Sequence, residues 1–344
     1  MKFSICIPNY NYENYIDETI DSVLLQDFID FEIRISDNQS TDQSWALIQE
    51  FSRKDKRITA QQNVSNLGFA GNLDMAAGKA EGTWQLLVSS DDLMKPGALN
   101  HYDKFMRLVE KEVGPHSYIF GSNQDMIDSE GKLLSNQQVR KVWKKKDIHP
   151  QLSELMGAKV YRIRASELLE RCLTDMQGAF NFVSLCYPTA YYHKAGGYGG
   201  SRMINPDKWF HFKLLMEVEW AYYLDETLFS YRWHQNNQTN LLKKSASLKF
   251  EVDEYRTSLE IPDSFLSKIG KDRQWLAGRF VEKVLINPGI RALQAGDKIH
   301  ALRLKNLALA TYPIDAIKNK HFLLLSLLSR LPIALSKYIL KFFK

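Results

Sequence analysis

Phe3-Ser-Ile-Cys-Ile-Pro-Asn-Tyr-Asn11 is a short apolar run that stops at a proline and passes into polar and aromatic residues. A continuous apolar run of this length, bounded by turn residues, reads as a strand buried on both faces, as in parallel sheets. Beyond it, Ile16, Ile20, Val23 and Leu24 recur at i, i+4, i+7 and i+8, one face of a helix. Phe31 to Ser36 reads as a second strand. Ser40-Thr-Asp-Gln43 has the form of a capping box and predicts a helix carrying Trp45, Ile48 and Phe51. Arg57 to Gln61 is a short third strand, Gly68 to Lys79 a helix ended by Glu81-Gly82, and Trp84 to Ser89 a fourth strand. Strand and helix alternate, so the expected class is α/β with a mainly parallel sheet.

After Gly97 the pattern loosens. It predicts a helix over Leu99 to Glu112, a strand over Ser117 to Gly121, and late strands over Tyr222 to Leu224 and Leu228 to Trp233. Gly196 to Gly200 is a loop, and Pro206 suits the first turn of a helix, where no backbone donor is needed. From about Ser245 onward the pattern is helical. Arg140 to Lys146 hold five Lys or Arg, which read either as a solvated loop or as a contact for an acidic substrate or a membrane.

The chain has 344 residues, 44% apolar and 25% charged, which excludes disorder as the main state and leaves enough chain for a large core. Forty-five Lys+Arg against forty Asp+Glu give a net charge of +5, too small a surplus to point to nucleic acid. Cys6, Cys172 and Cys186 are odd in number and widely spaced, against a disulfide framework or a structural zinc site, so a cytoplasmic setting is expected. The run after Met1 is too short for a signal peptide, and no stretch is long and apolar enough for a spanning helix.

In an open parallel sheet, ligands bind beyond the carboxyl ends of the strands. Here the first strand ends in Pro8-Asn-Tyr-Asn11, the second in Asp37-Asn38 and the fourth in Ser89-Ser-Asp-Asp92. An aromatic ring, an isolated carboxylate and a carboxylate pair would then face one crevice. That set suits a nucleotide diphosphate: the ring packs on the base, Asp37 accepts from base or ribose, and the pair holds a divalent metal against the phosphates. Taken singly, Asp91-Asp92 and Asp37-Asn38 read equally as turn chemistry, and Tyr10 as packing. A nicotinamide-dependent dehydrogenase would share the βαβ units, but the first strand lacks the glycine-rich turn that lets a pyrophosphate approach the backbone.

Four stretches, Ser4 to Asn11, Ile35-Ser-Asp-Asn-Gln-Ser-Thr-Asp42, Asn66-Leu-Gly-Phe-Ala-Gly-Asn72 and Leu86-Leu-Val-Ser-Ser-Asp-Asp-Leu93, resemble family 2 of the inverting glycosyltransferases. The resemblance implies a GT-A fold, Rossmann-like, with a mostly parallel central sheet flanked by helices and a helical C-terminal extension. It divides the chain into a glycosyltransferase domain over 1–240, with a donor half over 1–100 and an acceptor half over 101–240, and a helical region over 241–344. By this likeness Pro8 and Tyr10 would shape the base pocket, with Asn9 among the nucleotide-sugar contacts. Asp37 would bind base or ribose, Asn66 and Gly68 would form the nucleotide-side loop, and Asp91 would sit near ribose or metal. Asp92 would be the principal ligand of a manganese or magnesium ion. Ser89 stands where the family often has a further Asp, and no Arg stands near Gly71.

On the acceptor side, only Asp207 of Gly197-Tyr-Gly-Gly-Ser-Arg-Met-Ile-Asn-Pro-Asp207 occupies the place where similar proteins keep their general base. Position alone also fits a carboxylate that complements a helix N-terminus. In Tyr231-Arg-Trp-His-Gln-Asn-Asn-Gln-Thr239, His234 resembles a late motif that reaches the diphosphate or its metal, and Arg232 is a candidate diphosphate contact. The implied partners are a nucleotide-diphosphate sugar, UDP-sugar favoured, and a saccharide or lipid-linked saccharide acceptor. The implied process is bacterial surface-polysaccharide synthesis of the O-antigen or capsule type. A non-catalytic nucleotide-sugar-binding protein is the alternative.

From Ala316 to Lys344 there is no acidic residue, while six Lys or Arg are set among bulky apolar residues. Pro332 limits the segment to two short helices. The composition fits peripheral contact with an anionic membrane, such as the inner face of the plasma membrane, or helices packed on the core or a partner subunit.

Overall fold

A computed structural model describes residues 2–199, 206–235, 237 and 248–341. The described residues cluster into two compact units, one of 1–169 with 178–235 and one of 170–177 with 236–344.

The first unit opens with β1 (Phe3–Asn9), α1 (Ile16–Leu24), β2 (Phe31–Asp37), α2 (Ser44–Lys54), β3 (Ile58–Gln62), α3 (Gly68–Ala77) and β4 (Trp84–Leu87). All seven residues of β1 are buried, as its unbroken apolar run requires of a central strand. Ile16, Ile20 and Val23 of α1 are buried against the same core. Gly82 is required by close approach: a Cβ there would lie 2.7 Å from the backbone of Phe3 and Ser4.

The chain continues through β5 (Leu93–Met94), α4 (Ala98–Val113), β6 (Tyr118–Ile127), β7 (Leu133–Asn136), α5 (Pro150–Met156), β8 (Val160–Arg164), α6 (Ala165–Asp175), whose residues from 170 on belong to the second unit, then β9 (Cys186–Pro188), α7 (Thr189–Lys194), α8 (Pro206–Glu217) and β10 (Trp220–Arg232). The sheet order is β3-β2-β1-β4-β9-β6-β10-β5, with β7 on β6 and β8 on β10. The β1–β2, β2–β3, β1–β4 and β6–β10 pairs are parallel, and β9 runs antiparallel between β4 and β6. The mostly parallel α/β architecture is therefore as expected.

Three local expectations change. The two late strands are one, β10, whose register against β6 slips between Leu224 and Phe229, where Asp225-Glu-Thr interrupts the apolar pattern. Strand β6 runs on to Ile127 because its polar residues find tertiary partners: Asn123 Nδ2 donates to Asp225 Oδ1 (2.6 Å), and Tyr223 Oη donates to Asn123 Oδ1 (2.9 Å). Ser40 does not cap α2, which begins only at Ser44; it turns instead to Asp37 at the end of β2.

The second unit is helical, with Lys249–Glu260, Asp263–Lys268, Arg273–Phe280, a π-helical stretch Val281–Ile286, Asn287–Ala295, Lys298–Thr311, Pro313–Lys318, Lys320–Leu328 and Ile333–Leu340. Leu325, Leu328 and Leu340 pack with Leu293 and Ala301 in its core. All three cysteines are buried and free.

Candidate functional site

Strands β1, β2 and β4 end at the same edge of the sheet, with Asn9 in register beside Asp37. Asp37 is fully buried and its carboxylate is filled from within. Oδ1 accepts from Asn9 Nδ2 (2.7 Å) and Ser40 Oγ (2.5 Å), and Oδ2 accepts from the Ser40 N–H (3.0 Å) and Gln62 Nε2 (2.9 Å). In the ligand-free chain Asp37 thus ties three strand ends together.

Beside it lies an asparagine network. Asn38 Oδ1 accepts from the Leu67 N–H (2.8 Å), and Asn38 Nδ2 donates to Asn66 Oδ1 (3.0 Å) and the Gly68 carbonyl (3.2 Å). Asn63 Nδ2 donates to Asn72 Oδ1 (2.9 Å), and Asn72 Nδ2 donates to the Asn9 carbonyl (3.0 Å). The expected nucleotide-side loop is therefore fastened to the ends of β1 and β2. Gly68 has φ +72°, which suits glycine best. Tyr10 is 43% exposed at the rim, while Pro8 is buried and its carbonyl accepts from Ser90 Oγ (2.5 Å).

Asp91 and Asp92 follow β4 and are both buried. Burial, and after it the charge of Asp91, holds the Asp92 carboxyl well above the usual carboxylate range. Asp92 Oδ1 accepts from the Arg232 N–H (2.8 Å), whereas its buried Oδ2 has no hydrogen-bond partner among the described residues. His234 Nε2 lies 3.0 Å from Asp91 Oδ2. Its ring stacks on Tyr15 at 4.9 Å and meets Tyr12 edge-on at 5.9 Å. These tyrosines, absent from the sequence-based site, belong to the aromatic run Tyr10-Asn-Tyr-Glu-Asn-Tyr15, whose spacing after a site-bearing strand was the available signal.

Arg232, expected at the diphosphate, is buried. Its side chain is 1% exposed and points inward. Nε donates to the Asp91 carbonyl (2.8 Å), Nη1 to the carbonyls of Asp128 (3.3 Å) and Ser129 (3.2 Å), and Nη2 to Glu18 Oε2 (2.5 Å). Through these bonds Arg232 holds the acidic pair in place. Glu18 was invisible to sequence reasoning because its partner is 214 residues away.

The donor set fits a divalent ion. Two buried carboxylates, one with an orphaned oxygen, repel each other, and an added cation would relieve both costs. Imidazole next to oxygen donors is compatible with manganese. Among the described residues no group of three or more His, Cys, Asp or Glu side chains is placed to hold a metal ion.

Asp207 is the second residue of α8 and is half-buried. Residues 192–198 are anchored from two directions: Asp74 Oδ1 accepts from Tyr192 Oη (2.9 Å) and the Tyr198 N–H (2.6 Å), and Lys213 Nζ donates to the Ala195 carbonyl (2.7 Å). A Cβ on Gly197, at φ +65°, would lie 2.5 Å from Asp74 Oδ1. Residues 200–205, and 236 and 238–239 of the late motif, lie outside the described residues.

His211 stands one helical turn after Asp207 and is buried. Burial pushes its pKa down to about 4, opposed by Asp207 and assisted by Arg140. Between about pH 6.5 and 4 the unfolded chain therefore takes up a proton that folded His211 refuses, so stability falls as pH falls through that window. The expected loss from this one group is roughly 3 kcal/mol. Urea unfolding at pH 6.5 and 4.5 should show a smaller drop for His211→Gln than for the wild type; equal drops would remove the assignment.

Residues 4–148, somewhat under half of the chain, match Glycosyl transferase family 2.

Over 155 residues the chain is 31% identical to an uncharacterized glycosyltransferase of Haemophilus influenzae, covering 44% of this chain and 46% of that protein. Over 134 residues it is 30% identical to the GalNAc(5)-diNAcBac-PP-undecaprenol beta-1,3-glucosyltransferase of Campylobacter jejuni, covering 38% and 40%. The chain thus spans less than half the length of these curated relatives. The crystal structure of S. aureus TarS 1-349 in complex with UDP-GlcNAc superposes with a TM-score of 0.63 at 17% identity, over 98% of this chain and 88% of that one. That likeness supports the fold alone. Within the matched residues fall Tyr10, Asp37, Asn66, Gly68, Asp91 and Asp92; Asp207, Arg232 and His234 lie beyond them.

Proposed function

We propose that the protein is an inverting, metal-dependent glycosyltransferase, which moves a sugar from a nucleotide diphosphate, a UDP-sugar in the favoured case, to a hydroxyl of a saccharide or lipid-linked saccharide. The observation that carries this is the buried Asp91-Asp92 pair, with one carboxylate oxygen unpartnered among the described residues, at the strand ends of the segment that matches family 2. Exposed Tyr10 would pack on the base, Asp37 would order the strand ends that frame it, and Asn66 and Gly68 would border the nucleotide. Asp92, with His234 and Asp91 beside it, would hold manganese or magnesium, which offsets the charge of the departing diphosphate.

Asp207 would take the acceptor hydroxyl's proton as that oxygen bonds to the anomeric carbon. The bond from that carbon to the diphosphate breaks on the opposite face, and the nucleoside diphosphate leaves with the electron pair. Melting temperatures with UDP, GDP, dTDP and CMP conjugates, with and without manganese, test the donor side, because a ligand of the native state raises stability. A metal-dependent rise with one UDP-sugar is expected. No rise with any of them would reject the reading, and a rise without donor hydrolysis or transfer would favour a binding protein.

The setting of the proposal is bacterial surface-polysaccharide synthesis at the cytoplasmic face of the membrane; the undecaprenol-linked glycan in the printed name of the C. jejuni relative supports the first part of it. Among the described residues no helix is long and apolar enough to cross a membrane. Peripheral contact would come from the C-terminal helices, which bury Leu325, Leu328 and Leu340 while leaving Leu323 (62%), Leu327 (61%) and Tyr338 (60%) exposed among cations. Deleting the tail would open the core of its unit, so point changes are the cleaner test. Leu323→Ser with Leu327→Ser should lower co-sedimentation with anionic liposomes several-fold at unchanged melting temperature; unchanged co-sedimentation would exclude this face.

A further inference from the structure

The basic segment Arg140 to Lys146 is built differently from a solvated loop. Val142 and Trp143 are buried at its centre, and Trp143 Nε1 donates to the Ala179 carbonyl (3.0 Å). The indole lies against Phe180 at 5.7 Å and Tyr223 at 5.4 Å. At the far end Asp147 is buried, its Oδ2 accepting from the Lys144 N–H (2.8 Å) and its own N–H donating to the Lys144 carbonyl (2.9 Å). The turn is therefore fixed at both ends, and its one carboxylate is spent on the backbone.

From this turn Lys141, Lys144, Lys145 and Lys146 are exposed. Lys146 meets Glu167 at 3.4 Å, while the other three have no carboxylate within ion-pair distance among the described residues. The turn also adjoins the acceptor side. Arg140, bonded to Asn181 Oδ1 (3.2 Å) and the Gly178 carbonyl (3.4 Å), acts electrostatically on His211, one turn from Asp207.

We propose that this rigid lysine turn binds an anionic acceptor chain, a glycan bearing carboxylates or phosphodiesters, and so guides it toward the base helix. The inference rests on the transferase reading for its direction and names the acceptor's charge class. Holding the lysines in one arrangement before the ligand arrives reduces the ordering cost of binding. Several like charges on one turn give attraction that salt screens.

The test is fluorescence anisotropy of the full chain with labelled hexagalacturonate, a glycerol phosphate hexamer and neutral maltohexaose, at about 20 and 200 mM salt. The wild type should bind at least one anionic hexamer and leave maltohexaose unbound. The triple variant Lys141→Ser, Lys144→Ser, Lys145→Ser should lose affinity about tenfold at low salt and much less at high salt, with unchanged melting. Arginine at the same three positions should keep binding. A control triple, Lys56→Ser, Lys104→Ser, Lys111→Ser, should leave it intact. Equal losses in the two serine triples would mean net charge alone acts, and no loss in the first would clear the turn of the role. Loss of anionic-vesicle binding without loss of hexamer binding would assign the turn to a membrane and overturn the proposal. The assay uses no donor, so failure of the transferase reading, seen as absent nucleotide-induced stabilisation, is recorded separately.

Discussion

Asp207→Asn is expected to bind the nucleotide sugar as the wild type does and to transfer sugar about 100-fold to 10,000-fold more slowly. A general base acts on the acceptor's proton in the transition state and need not touch the donor, so binding and turnover should separate. The amide keeps the shape of the side chain and its place in the first turn of α8. It loses the negative charge near the helix N-terminus, at a stability cost of about 0.3 to 1 kcal/mol. Nucleotide affinity by calorimetry and initial rates with the physiological acceptor are the two readouts. Near wild-type transfer would place the base elsewhere and leave Asp207 as a helix-end charge.

Asp92→Asn should cost most of the manganese-dependent part of nucleotide affinity, an order of magnitude or more, and leave metal-independent affinity unchanged. Asparagine retains an acceptor for the Arg232 N–H, so the buried backbone donor is not stranded. It also removes one of two adjacent buried carboxylates, whose repulsion and burial disfavour charge at this place. The metal-free variant should therefore melt at the same temperature as the wild type or above it. Calorimetric titrations of nucleotide with and without manganese decide: an affinity still raised by the metal as in the wild type would exclude Asp92 as its principal ligand.

The first half of the site was legible because its elements are local. Phe3 to Ile7 and Trp84 to Leu87 are apolar runs in a polar setting, and the residues that follow them are read directly as strand-end residues. The second half was less so. Arg232 ends strand β10, and nothing local reveals that Glu18, Asp91, Asp128 and Ser129 accept from its guanidinium. Ser40 stands three residues before a plausible capping partner, yet the carboxylate of Asp37 competes for it and wins with two hydrogen bonds. Tyr12 and Tyr15 look like loop aromatics until His234, more than two hundred residues on, is placed against them.

Hydrophobic periodicity and turn chemistry act over a few residues, and they alone determined the α/β class, the run of βαβ units, the helical C-terminal region and the placing of Asp37, Asp91 and Asp92 after strands. The tertiary structure decided which polar groups are committed to one another. Burial makes an unpaired charge or donor costly, so side chains distant in sequence take up partners that no local pattern encodes. That is why Arg232 turns inward, why Asp37 is filled from within, and why one oxygen of Asp92 has no partner among the described residues.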